Sequence, residues 1–209
     1  MIMMRDKLKL EQETGVIMKR LVVALFLLAG TVVHAASVDK TLVSWVKIRK
    51  ADVRGGSVLT LQSSDEFDGI VFAELAARKW MAGSSFFRRT NRKQDSFPEE
   101  TASGDTLIQM AIVYAGGQVT VYRNGQVYSS HKAKNVDLLG RKGNFVVFGR
   151  RHVGGDGSIA GEVDDARIYD RALSAEEIRK LEPNKASAIK PYAWWDFNGD
   201  NIQDRMGRY

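Results

Sequence analysis

The residues best placed to do chemistry are carboxylates. In "GEVDDARIY", Glu162 and Asp164 stand two apart, the spacing that turns both side chains to one face of a β-strand. Cleavage of a glycosidic bond by a retaining route needs such a row, with one carboxylate as nucleophile and another as the acid that protonates the leaving oxygen. The row stops short, because Ala166 and Arg167 occupy the next positions, so the strand lacks its proton donor. Asp164 and Asp165 are read instead as acceptors for backbone or arginine hydrogen bonds, or as ligands of a structural ion. Arg167 is read as a cross-strand ion-pair partner.

A second acidic group lies in "AWWDFNGDNIQDRMGRY". Asp196, Asn198, Asp200, the carbonyl of Ile202 and Asp204 fall at positions 1, 3, 5, 7 and 9 of a calcium loop, which makes calcium the one cofactor that the sequence admits. Asn201 replaces the glycine usual at position 6, and Gly207 stands where a bidentate carboxylate should close the site. The alternation of Trp195 and Phe197 describes a strand better than the entry to such a loop. On that reading both rings face inward and Asp204 opens a turn toward Gly207.

A sugar site needs an aromatic face for the C–H surface of the ring and polar groups for its hydroxyls. The candidates are Trp80, Phe86, Phe87, Arg88 and Arg89 in "KWMAGSSFFRRT", and Arg150, Arg151 and His152 in "GRRHVGG". Each has a plain alternative: Trp45 and Trp80 as core, the arginines as a solvated rim, and His152 as a loop residue. His131 and His152 have no ligand spacing for zinc. There is no cysteine, hence neither disulfide nor thiolate chemistry.

The elements that must position these groups are short strands. Runs rich in β-branched and aromatic residues, separated by Gly, Asn and Asp, extend from Leu42 to Tyr169: "LVSWVKI", "SVLTLQ", "DGIVFAEL", "LIQMAIVY", "QVTVYR", "QVYSS", "FVVFG" and "GEVDDARIY". In "LIQMAIVY" both alternating faces are largely apolar, so the strand belongs deep in a sheet. Asn124-Gly125 between two such runs specifies a type I′ hairpin turn. Ser174 and Glu177 form a capping box for one short helix that Pro183 ends. Residues 88–105 form a long polar excursion, either a binding loop or a flap. Together these features predict an all-β, two-sheet antiparallel jelly-roll sandwich with one short C-terminal helix.

The chain has 209 residues, 44% hydrophobic and 27% charged, enough for one core. Met18-Lys19-Arg20, the apolar run Leu21–Val33 and "VHAAS" read as a signal peptide cleaved after Ala35, with residues 1–17 as an N-terminal extension. The expected location is secreted, periplasmic or cell-surface, with no membrane span in the mature chain. Residues 1–36 hold five basic and three acidic side chains, so their removal lowers the net charge from +6 to +4. The basic residues are scattered, without a nucleic-acid-binding motif, and no nucleic-acid partner is expected.

The order "IQMAIVYAGGQVTVYRNGQVY", "VVFGRR" and "GSIAGEVDDARIYDRALSAEEIRKL" resembles the second half of laminin-G-like, concanavalin A-like lectin/glucanase jelly-roll domains. The likeness covers about residues 37–182. It implies two curved sheets whose concave face or rim loops bind sugars, proteins or calcium. Glucanases of this architecture carry Glu-x-Asp-x-(x)-Glu on one strand, and this chain departs from that pattern at its last carboxylate. The front half, "GGSVLTLQSSDEFDGIVFAEL", is similar to the leading region of secreted family 32 glycosidase-like proteins of the β-fructosidase group, although the Asn-Asp-Pro motif of invertases is absent.

The expected organisation is a signal peptide with its extension at 1–36, a jelly-roll domain at 37–182, and a linker with the first strand of a second, truncated module at 183–209. The expected function is noncatalytic binding of a glycan or polysaccharide, accessory to a catalytic hydrolase domain. The alternatives are a fragment of a family 32-like glycosidase whose catalytic residues lie elsewhere, or a protein-binding adhesion module.

Overall fold

The computed structural model describes residues 39–102, 104–199 and 202–209. The residues read as a signal peptide and its extension, and Asp200, lie outside the described residues. Ten strands follow in order: β1 (Lys40–Ile48), β2 (Gly56–Ser63), β3 (Glu66–Phe72), β4 (Trp80–Ser84), β5 (Leu107–Ala115), β6 (Gln118–Arg123), β7 (Gln126–Lys132), β8 (Phe145–Arg150), β9 (Gly161–Tyr169) and β10 (Ala193–Trp195). One helix, α1 (Ala175–Lys180), stands between β9 and β10. A six-stranded sheet has the order β10-β9-β1-β5-β6-β7 and a four-stranded sheet the order β4-β3-β2-β8, with antiparallel pairing throughout. The two-sheet sandwich and its short helix match the expectation.

Period-two alternation builds the layers. On β5, Ile108, Met110, Ile112 and Tyr114 enter the core between the sheets, where Leu42, Val46, Leu59, Leu61, Ile70 and Phe72 meet them. The other face carries Ala111 and Val113, which with Val43 and Trp45 pack under Leu173, Ile178 and Leu181. Helix α1 therefore covers the outer face of the six-stranded sheet, which explains why β5 is apolar on both sides. Asn124 and Gly125 have φ of 48° and 68°, the left-handed pair that the β6–β7 turn requires. The capping box forms, with the Ser174 hydroxyl accepting from Glu177 N and the Glu177 carboxylate from Ser174 N.

Strand β4 escaped the sequence reading because "WMAGS" has no β-branched residue. It pairs with β3 from Asp68↔Ser84 to Phe72↔Trp80. Gly83 permits this: a β-carbon there would lie 2.3 Å from Val71 Cγ2.

Residues 183–209, expected to form a linker and the opening of a further module, lie in the same compact unit, Ser37–Tyr209. Strand β10 pairs with β9 from Ala193↔Ile168 to Trp195↔Ala166. Trp195 joins the inter-sheet core, 5.2 Å from the Phe148 ring. Trp194 turns to the outer face and donates to Asp165 Oδ2 at 2.9 Å. Its ring and that of Trp45 flank the buried Arg167 guanidinium at 4.8 and 5.0 Å.

Candidate functional site

The site is a cleft of about 480 Å³ on the outer side of the four-stranded sheet, between the turn that follows β4 and the loop that follows β8. Phe67 and Met81 are among its lining residues. One wall is the tight turn Ser85–Phe87, in which Phe86 and Phe87 both adopt left-handed backbone, φ 52° and 56°. Bulky residues take that conformation at about 1–3 kcal/mol each. Hydrogen bonds hold them there: Ser85 Oγ donates to Asp65 O at 2.6 Å and accepts from Phe67 N at 2.8 Å. Ser84 Oγ accepts from Arg89 N at 2.8 Å. The result is that Phe86 is 70% exposed at the cleft, with Arg88 5.0 Å from its ring centre.

The opposite wall is Arg151–Val153. The His152 ring stacks on Phe67 with centroids 5.1 Å apart, and its Nδ1 meets Val153 O at 2.9 Å. Gln62 Oε1 accepts from Val153 N at 3.0 Å, and Thr60 donates to Arg151 O at 2.9 Å. The loop is thus tied to β2 by buried polar side chains rather than by sheet pairing.

Of the sequence candidates, the fold brings Phe86, Phe87, Arg151 and His152 to this cleft. Arg88 stands beside it, paired with Glu66 at 2.7 Å, and Arg151 is tied to Glu74. Arg150 is exposed at the end of β8, paired with Ser158 and outside the cleft lining. Two candidates are corrected. Trp80 is wholly buried, its indole donating to Glu100 Oε2 at 2.8 Å and its ring against Phe72, so no ligand can reach its face. Arg89, 4% exposed, donates to Asp68 Oδ1 at 2.7 Å and Glu66 Oε2 at 3.0 Å. Burial alone would lower its pKa, yet Asp68 and Glu66 hold it above the ordinary value. Asp68 also takes Lys40 Nζ at 2.9 Å, so this cluster joins β1 to β3 inside the sandwich.

Sequence reasoning missed Gln62, Ser64, Asp65 and Phe67 as lining residues. "SSDE" between two apolar runs is legible as a hairpin turn, but nothing local shows that the turn abuts a loop from 86 residues later.

The acidic positions proposed for metal are engaged by N–H donors. Asp204 accepts from the backbone N of Trp194, Met206, Arg208 and Tyr209 at 2.8, 3.0, 2.7 and 3.3 Å. Asp196 is paired with Arg205. Asp165 accepts from Arg167 Nε and Nη2, both at 2.9 Å, and from Asn184 N at 2.7 Å. Asp164 accepts from Asn184 Nδ2 at 2.8 Å. Asn198 follows β10 without joining a strand. Both oxygens of Asp204 and of Asp165 are thus already engaged by N–H donors. Among the described residues, no three His, Cys, Asp or Glu side chains gather as a metal cluster. Glu162 is paired with Arg49 at 2.6 Å, and Ala166 points into the core.

Two facing antiparallel sheets with a loop-walled cleft on one outer side define a lectin-like sandwich. The profile of the concanavalin A-like lectin/glucanases superfamily matches residues 27–179, and the chain belongs to that family. Its fold is similar to a candidate carbohydrate-binding protein from Bacteroides ovatus at 12% identity and TM-score 0.60, over 84% of this chain and 52% of that one. It is also similar to domain 4 of AbnA, a GH43 extracellular arabinanase from Geobacillus stearothermophilus solved with arabinotriose, at 18% identity and TM-score 0.52, over 70% of this chain and 67% of that one. The chain thus spans about half the length of the Bacteroides protein. No curated protein matches it. Among the described residues, no helix is long and apolar enough to cross a membrane.

Proposed function

We propose that this chain is an exported carbohydrate-binding module that holds a glycan in the cleft between Phe86 and His152, and that it serves as an accessory to a glycoside hydrolase. The observation that carries this reading is Phe86: a ring 70% exposed, fixed by a left-handed backbone at the edge of an apolar-floored cleft. A free aromatic face stacks on the C–H surface of a sugar ring, and surrounding polar groups order its hydroxyls. The similarity to a domain of an extracellular arabinanase supports both the accessory role and export. On β9, Glu162 and Asp165 are paired with Arg49 and Arg167, and an arginine-paired carboxylate is poorly placed to deliver a proton.

The test is a glycan array on the purified chain, repeated with Phe86→Ala. An exposed side chain contributes little to the fold, so melting should move by less than about 0.5 kcal/mol in stability while captured glycan falls at least tenfold. Equal capture by both proteins would remove the cleft from the reading, and an array with no hits would remove the sugar.

A further inference from the structure

The turn that presents Phe86 is surrounded by more positive charge than negative. Arg88 and Arg89 share the two oxygens of Glu66, and Arg89 and Lys40 share those of Asp68. Arg92 donates through Nη2 to Phe86 O at 3.0 Å and lies 5.3 Å from the Phe87 ring centre, with no carboxylate partner among the described residues. Four cations thus face two carboxylates, and Asp65, the single acid among the residues that line the cleft, leaves the balance positive. Lys40 and Arg89 are buried, so a ligand cannot reach them. The surplus is presented by Arg88, 59% exposed, and by the exposed Arg92. Each guanidinium rests against a ring of the turn, Arg88 on Phe86 and Arg92 on Phe87, which holds both beside the aromatic wall of the cleft.

We infer that the cleft prefers sugars that carry a carboxylate, with Arg92 as the residue that receives it. This rests on the carbohydrate-binding reading and narrows it. A guanidinium has five N–H donors in a planar fork that matches the two oxygens of a carboxylate, and Arg92 spends only Nη2, on Phe86 O. That bond fixes the head group, so little freedom is lost when an anion arrives. At Arg88 and Arg151 an incoming carboxylate has to displace Glu66 or Glu74, whereas at Arg92 it displaces no acid. A uronate stacked on Phe86 brings its carboxylate to the guanidinium held at that residue's own carbonyl.

The test is calorimetric titration of the full chain with matched oligosaccharide pairs that differ in charge alone: glucan and glucuronan, galactan and galacturonan, mannan and mannuronan, at about 0.05 M and about 0.5 M salt. The expected result is that the uronate of at least one pair binds about tenfold more tightly than its neutral partner at the lower salt, and that the gap narrows at the higher. Arg92→Gln should bring that ratio below about threefold, with Arg92→Lys, which keeps the charge and loses the fork, between the two. The ratio is insensitive to any movement of the turn that weakens both sugars alike. Phe86→Ala should weaken the uronate as well as its neutral partner. Uronates that bind no tighter than their neutral partners in every pair would overturn the inference and leave the carbohydrate-binding reading standing. Uronate binding that ignores Phe86→Ala would overturn it too, since the anion would then be held elsewhere on the chain. A ratio unmoved by Arg92→Gln would overturn the role of Arg92. Failure of every oligosaccharide to bind, neutral or acidic, would overturn the carbohydrate-binding reading itself.

Discussion

Asp165 shows how one residue can look like chemistry and serve as architecture. It sits at 0% exposure with Arg167 at 1%, and its two oxygens take Arg167, Trp194 and Asn184 together. Arg167 also donates to Glu182 O and Lys185 O at 2.8 and 3.0 Å, which pins the chain after α1. Breaking a buried pair from one side leaves an uncompensated charge, a loss of about 3–5 kcal/mol. Asp165→Ala should therefore lower the urea midpoint sharply at an unchanged slope, and a midpoint within error of the parent would rule out this account. An arginine partner for these aspartates was legible in "DDAR", but Arg167, expected to pair across strands, pairs instead with Asp165 two residues away on β9; the two tryptophan faces that sandwich it were not legible, because they come from β1 and β10.

At the scale of elements, acidic side chains fasten the loops and the helix. Burial would raise the pKa of Glu100, but Arg123, the Ala102 amide and the Trp80 indole outweigh it and hold the carboxyl below its usual range. Glu177 is pulled down to about 2, chiefly by Arg171 and by the Ser174 amide of the capping box. Both folded values lie below the unfolded value of about 4.3. Their contribution is therefore complete above that pH and is lost as pH falls through the folded value, about 2 for Glu177. Stability followed by tryptophan fluorescence should decline between about pH 4.3 and pH 2. Glu100→Gln should flatten part of that decline, since Gln at this position does not titrate. The β6–β7 turn makes a further case. Gly125 has φ 68° and a β-carbon there would meet Arg179 Cγ at 2.1 Å, so Gly125→Ala should destabilise by about 1–2 kcal/mol in chemical denaturation.

For the whole molecule, the consequential element is the last strand. Ala193 and Trp195 close the core at the β9 edge, and Trp194 covers Arg167 on the other face. A chain ending after Glu182 would expose both. It should lose cooperative melting and bind a hydrophobic dye, while Trp195→Ala in the full chain should lose about 3–5 kcal/mol. A truncated chain that melts as cooperatively as the parent would show that residues 183–209 are dispensable to this unit. Trp195 was legible as part of a strand, but Phe197, the other half of the alternation, lies beyond β10 with φ 45°. Which sheet that strand completes was not legible, because pairing with β9 is a contact between distant segments.

Periodicity and turn chemistry in the amino-acid order were sufficient for the sandwich, the Asn-Gly hairpin, the capped helix and the two faces of β5, because each depends on neighbours within a few residues. Tertiary structure alone decided which aromatic is presented and which charges are spent. Trp80 and Phe86 lie six residues apart with equal claim to a sugar, yet sheet pairing buries the first and a left-handed turn exposes the second. The arginines beside them are equally basic in sequence, and only folding brings Glu66, Asp68 and Glu74 against Arg88, Arg89 and Arg151 while Arg92 meets no carboxylate among the described residues. For Arg88, Arg89 and Arg151 the carboxylate partners lie 22, 21 and 77 residues away, outside any local window of sequence.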